Sequence, residues 1–367
     1  MSANQPSRRD LLKTAGLTTA FGLAAPFRTL LAETKKAIAL AGYKLDRTSG
    51  LVDRSVKIDG FEHVFEEVAI GDANTHVFSG PGTRESTEIG LHPFMLAYAN
   101  QDFREYSLLP IFPLRVFRHK SIFIRTDRGI TKPKDLKGRK IGTPGFSSTS
   151  LTWIRGILQH EYGLKPTDVE WVVSTQDSSA EAAGKASAQE NVIPKGLTVI
   201  KGSPGKDESQ LLVDGEVDAL FHAAEPKAFI EGNPLIGRLF PNFRRTEQAY
   251  FKKTGIFPIM HAVAIHNDFA EKHPSLPLAL CKAYSEAKKQ ALAKLVKMGW
   301  ADISVPWIAQ DIEETRKLMG ENFWPYGIEP NEKALNALFR YSHEQGLAKR
   351  TLTIEELFHP STLSWKE

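Results

Sequence analysis

Ser147, Ser148 and Thr149 stand in the run Gly145-Phe146-Ser147-Ser148-Thr149-Ser150, just ahead of a helix expected over Leu151–Glu161. Small hydroxyls beside the free N–H groups of a helix start form an anion seat, and the helix dipole adds roughly half a positive charge there. The same serines also suit plain capping, and both uses fit in one turn. Arg115, Arg118 and His119 follow Pro113 and the strand-like run Leu108–Phe112. A guanidinium grips a carboxylate with two parallel hydrogen bonds, so this cluster suits an organic acid. Tyr43, His92 and Phe94 follow two further strand-like runs and offer rings to a planar ligand, although His92 and Phe94 are equally suited to core packing. His261 is a weaker candidate for the same cleft. If the task is chemistry rather than capture, His92, His119 and His222 are the candidates for a proton donor. Dispersed histidines with no His-x-x-x-His pair predict no metal site. There is no serine elbow, phosphate loop or dinucleotide turn, so no cofactor is expected.

For such residues to converge, strands must end beside them. Ala37–Ala41, Val64–Ile70, Thr87–Leu91, Leu108–Phe112 and Ser121–Arg125 read as strands, followed by Lys140–Thr143, Val169–Val173, Leu197–Ile200 and Met260–Ile265. From Pro274 to Phe358 the pattern is mostly helical. Strands alternating with helices predict an α/β architecture with mainly parallel sheets, whose ligands sit outside the carboxyl ends of the strands. The polar connector Lys132–Gly138 predicts a second lobe, 138–254, inserted into a discontinuous first lobe of 33–137 plus 255–367. Two lobes joined by a double crossing enclose a cleft.

The chain has 367 residues, a size that supports two such cores, and a single cysteine, Cys281, so it forms no internal disulfide. Of its formal charge of +4, residues 1–32 hold +3 (Arg8, Arg9, Lys13 and Arg28 against Asp10), which leaves about +1. That balance carries no nucleic-acid footprint. Ser7-Arg8-Arg9-Asp10-Leu11-Leu12-Lys13 followed by the apolar run Thr14–Ala25 has the form of a twin-arginine export signal. The expectation is a cleaved leader over 1–32, the twin-arginine machinery as a partner, a periplasmic product and no lipid anchor.

Three phrases carry a family resemblance: Arg115-Val116-Phe117-Arg118-His119-Lys120-Ser121-Ile122-Phe123-Ile124-Arg125, then Asp135-Leu136-Lys137-Gly138-Arg139-Lys140-Ile141-Gly142, then Trp153–Gly163. Together they resemble the 4,5-dihydroxyphthalate decarboxylase-like branch of the NMT1/THI5-like solute-binding superfamily. The resemblance implies the type II periplasmic-binding-protein fold, a hinge of two strands and a ligand in the cleft, with His222 and Glu225 facing it after the strand-like Val217–Phe221. It carries two functional expectations. The export signal favours a solute-binding protein, not an enzyme, that captures a small anionic solute and docks to an ABC permease. The alternative is a lyase that decarboxylates an aromatic acid. A pyrimidine binder, also within the superfamily, would need aromatic residues without convergent arginines.

Overall fold

The computed structural model describes residues 35–178, 183–184, 187–297 and 303–367. The leader expected over 1–32 lies outside the described residues. Two sheets organise the chain from Lys35 onward. The first has the order β2-β1-β3-β11-β4, with β1 Lys36–Gly42, β2 Phe61–Glu67, β3 Ser86–Gly90, β4 Tyr106–Leu109 and β11 His261–His266. The second has the order β10-β5-β9-β6-β7-β8, with β5 Ile122–Arg125, β6 Lys140–Thr143, β7 Glu170–Val173, β8 Val199–Lys201, β9 Ala219–Phe221 and β10 Ile236–Arg238. The antiparallel pairings come from β5 and β11, the strands that follow each passage between the sheets; the remaining pairings are parallel. This is the expected two-lobed α/β fold.

β5 pairs within the second sheet, although it precedes residue 138, where the second lobe is expected to start. The chain crosses earlier, because a short apolar run carries no mark of which sheet it joins. The outgoing segment Leu114–Val116 runs against the returning segment Pro258–His261: Val116 N donates to Pro258 O at 3.2 Å and Met260 N to Leu114 O at 2.9 Å. These two segments form the double-crossing hinge. β3 and β11 read Ser-Thr-Glu-Ile-Gly and His-Ala-Val-Ala-Ile-His and are buried almost throughout, as strands covered on both faces should be.

The helix Thr149–Tyr162 starts at Ser148, whose Oγ accepts from Leu151 N at 3.3 Å, and ends at the left-handed Gly163. It packs on the helix Glu332–Glu344, where Gly156 meets the ring of Tyr341, leaving no room for a Cβ. That ring is held against Trp153 and His160. Alanine at 156 would gain about 1 kcal/mol in helix propensity, against roughly 1–3 kcal/mol or more for overpacking. Gly156→Ala is therefore expected to lower the urea midpoint of unfolding.

Candidate functional site

A cavity of about 350 Å³ opens between the sheets, within the range of about 300–1,000 Å³ usual for ligand pockets. The first sheet contributes Tyr43 after β1, Gly90 at the end of β3 with Pro93 beyond it, and His261 at the start of β11. The second contributes Ser148–Leu151 after β6 and His222 after β9. The hinge adds Leu114, Val116, Arg118 and Lys120. Loops at strand ends thus supply most of the wall, as open α/β sheets do.

His261 is paired with a carboxylate that the sequence reading missed. Its Nδ1 lies 2.5 Å from Glu88 Oε1, and Glu88 is only 2% exposed. Glu88 Oε2 accepts the backbone N–H of Tyr43 at 3.0 Å. Gly42 makes room for this carboxylate: a Cβ there would sit 2.8 Å from Oε2. With Nδ1–H held by Glu88, Nε2 is the nitrogen left to exchange a proton. The Tyr43 ring stands 5.7 Å from the imidazole. A clue did exist: a carboxylate inside a strand that is to be buried must find a partner.

His222 is 1% exposed and lies beside two acids, with Nε2 3.1 Å from Glu208 Oε1 and 3.5 Å from Asp177 Oδ1. Its Nδ1 faces Ala224, 3.0 Å from the carbonyl oxygen and 3.1 Å from the amide nitrogen. Burial works to lower the imidazole pKa and the two carboxylates to raise it, with a net rise. Glu208 is fully buried and accepts from Ser174 Oγ at 3.2 Å and from Ser178.

Cationic and anion-binding groups line the same cavity. Arg118 is buried; its Nη1 donates to Ala223 O at 3.0 Å, while Nε and Nη2 rest on the weak acceptor Met260 Sδ at 3.3 and 3.0 Å. Burial pulls its pKa down to about 10, still protonated at neutral pH. The amides of Thr149 and Ser150, first in their helix, have no protein acceptor among the described residues. Thr149 Oγ1 accepts the His92 amide at 3.1 Å.

Several expected site residues lie elsewhere. Arg115 turns away from the cavity, donating to Phe257 O at 2.7 Å and Pro325 O at 3.3 Å and lining a separate cavity beside Tyr326. His92 is packed: its Nδ1 faces Ser147 O at 2.6 Å and its Nε2 Ser342 Oγ at 2.8 Å, and burial lowers its pKa to about 4. Phe94 is core, against Phe78 and Phe103. Ser147 exchanges hydrogen bonds with the backbone of Val192. Glu225 pairs with Arg238 at 3.0 Å and Lys120 at 3.5 Å, outside the cavity lining.

His119 sits among the rings of Tyr162, Phe240 and Tyr250, and neither ring nitrogen finds a partner among the described residues. Burial lowers its pKa from 6.5 to about 4. Below pH 6.5 the unfolded chain takes up a proton that the folded one refuses, so stability falls as pH falls, by about 3 kcal/mol once pH 4 is reached. His119→Phe should flatten the fall in urea midpoint between about pH 7 and pH 5.

An NMT1/THI5-like family model matches residues 115–294. A Comamonas testosteroni protein named 4,5-dihydroxyphthalate decarboxylase is 33% identical over 91% of this chain and 98% of its own length. A Pseudomonas putida protein of the same name is 32% identical over 56% of this chain and 76% of its own. The periplasmic aliphatic sulphonate binding protein SsuA from Escherichia coli shares the fold, with a TM-score of 0.51 and 13% identity over 89% of this chain and 99% of that one. The two decarboxylase names overturn the expectation that the chain is no enzyme. The family resemblance holds, and the export-signal pattern does not decide between its two meanings. Among the described residues no helix is long and apolar enough to cross a membrane.

Proposed function

This chain belongs to the 4,5-dihydroxyphthalate decarboxylase family, and on that premise we propose that it is a carboxy-lyase that removes one carboxyl group from an aromatic vicinal dicarboxylic acid such as 4,5-dihydroxyphthalate. One observation carries the reading: a buried Glu88–His261 pair shares a cavity with Arg118 and the free amides of Thr149 and Ser150. The reaction needs a proton at the ring carbon that bears the departing carboxylate, and electron push into the ring. The hydroxyl oxygen para to that carbon supplies the push. Protonated His261 gives the proton from Nε2 while Glu88 keeps Nδ1–H. The carbon–carbon bond then breaks, its electron pair restores the aromatic ring, CO₂ leaves and solvent reprotonates the imidazole. Arg118 and the helix start hold the carboxylate that stays.

The twin-arginine pattern at Arg8-Arg9 adds, in this reading, export of the folded chain to the periplasm. The ABC permease belongs to the capture reading alone. Purified protein given 4,5-dihydroxyphthalate should release CO₂ and accumulate 3,4-dihydroxybenzoate in equal amounts. Saturable binding without turnover would instead establish capture.

A further inference from the structure

Asp177, Glu208 and His222 come from three separate connections of the second sheet, so no spacing in the sequence announces them as a set. Their nearest ligand atoms, two carboxylate oxygens and Nε2, all lie within 4.8 Å of one another. Adjacent ligand atoms around a small divalent ion bound at about 2.0–2.2 Å are separated by roughly 3 Å, and opposite ones by roughly 4 Å. The trio therefore needs little adjustment to share an ion.

The stronger sign is His222 Nε2 itself. It is buried and makes no hydrogen bond of acceptable geometry, although two carboxylates stand close by. An N–H bond to a carboxylate wants its acceptor in line, whereas metal ligands point at a common centre between them. The remaining atoms are arranged as the outer partners of such a site would be. Nδ1 sits beside Ala224, 3.0 Å from the carbonyl oxygen and accepting the amide N–H at 3.1 Å, which holds the ring in place, and Glu208 is held by Ser174 and Ser178. Asp177 and His222 line the cavity, so an ion there would meet whatever the cavity holds.

We propose that Asp177, Glu208 and His222 bind one divalent cation, and that this cation takes the vicinal hydroxyls of the ring as its remaining ligands. The cation part stands on geometry alone; the hydroxyl part rests on the decarboxylase reading. Two oxygens on neighbouring ring carbons form a five-membered chelate, and mixed nitrogen and oxygen donors suit Mn²⁺ or Zn²⁺. The chelated ring would lie between the ion and the proton donor.

The test uses metal-free full-length protein. Calorimetric titration with Mn²⁺ should give one site per chain. Asp177→Asn, a change at the cavity surface, and His222→Gln should each weaken it by at least tenfold, the usual loss for a ligand or its close partner. No binding at millimolar Mn²⁺ or Zn²⁺, or undiminished binding in both variants, overturns the site and leaves a doubly protonated His222 between two carboxylates. Titration with 3,4-dihydroxybenzoate, with and without Mn²⁺, reads the second part: affinity should rise at least tenfold with the ion, and by linkage the ion should bind tighter with the diol. Equal affinities overturn the hydroxyl contact. The decarboxylase reading fails separately, by absence of CO₂ release, and CO₂ release without any cation binding leaves that reading standing while this one falls.

Discussion

His261→Gln should lower kcat for CO₂ release by about 10²–10⁴-fold, the usual share of a positioned proton donor. Glutamine keeps a polar side chain of similar reach but cannot carry a titrating proton. If Arg118 and the helix start supply most of the binding, KM should move far less than kcat. Glu88 acts through His261 and is a positioning residue. Glu88→Gln can turn its NH₂ toward Nδ1 and stabilise the wrong tautomer, a change that can cost as much as ~10⁴ when an Asp orients a catalytic histidine. The conservative variant separates the roles: Glu88→Asp keeps a carboxylate for Nδ1–H and should recover part of the loss in kcat, whereas no neutral replacement of the imidazole should. Unchanged kcat in His261→Gln would move the proton donor elsewhere in the cavity and remove the main support for the mechanism.

Glu367→Gln should be the most damaging single change to stability. Lys288 is 1% exposed, on the long helix Leu276–Val296, and its ammonium reaches Glu367 Oε2 at 2.6 Å, Trp324 O at 2.8 Å and Asn322 Oδ1 at 3.1 Å. Glu367 also accepts from Tyr326 N at 3.0 Å and Ser285 Oγ at 2.8 Å. Burial pushes the Glu367 pKa up, but Lys288 and the surrounding donors hold it below the ordinary value. Removing one charge of a buried pair strands the other, at about 3–5 kcal/mol. Replacing both with neutral groups removes the stranded charge, so Glu367→Gln with Lys288→Met should recover much of the loss. Urea midpoints of the two singles and the double give the coupling; a double variant as unstable as the sum of the singles would deny it.

Lys288 also shows where sequence reading stopped. In the sequence it falls in a cluster, Lys282, Lys288, Lys289, Lys294 and Lys297, that reads as one solvated helix face. The structure leaves the other four exposed and buries Lys288 with Tyr284 and Ala291, its neighbours at helical spacing. Helical spacing puts Tyr284, Lys288 and Ala291 on one face, but only the distant Glu367 explains a charge buried within it. The fold was more legible than the site, because alternating strand and helix patterns are local and repeat along the chain. The capping serine Ser148 was legible for the same reason. Of the ring and charge candidates, Tyr43, Arg118 and His222 reach the cavity, while His92, Phe94, Arg115 and His119 are packed away. Residue type and a nearby strand end do not say which way a side chain turns. Glu88, Asp177 and Glu208 are significant only through partners far off in sequence, and a single chain read without its fold has no means of pairing them.

The two hydrogen-bonded crossings have a kinematic consequence. In a rotation of one sheet against the other, each atom travels in proportion to its distance from the axle, and His261 is itself part of one crossing. The imidazole and its carboxylate would thus stay nearly stationary, as would Ser150, whose Oγ rests on Met260 Sδ of that crossing at 3.5 Å, while the rim farthest from the crossings swings through the larger arc. Admission of a guest and discharge of its products would fall to that rim, leaving the proton donor aligned from one turnover to the next.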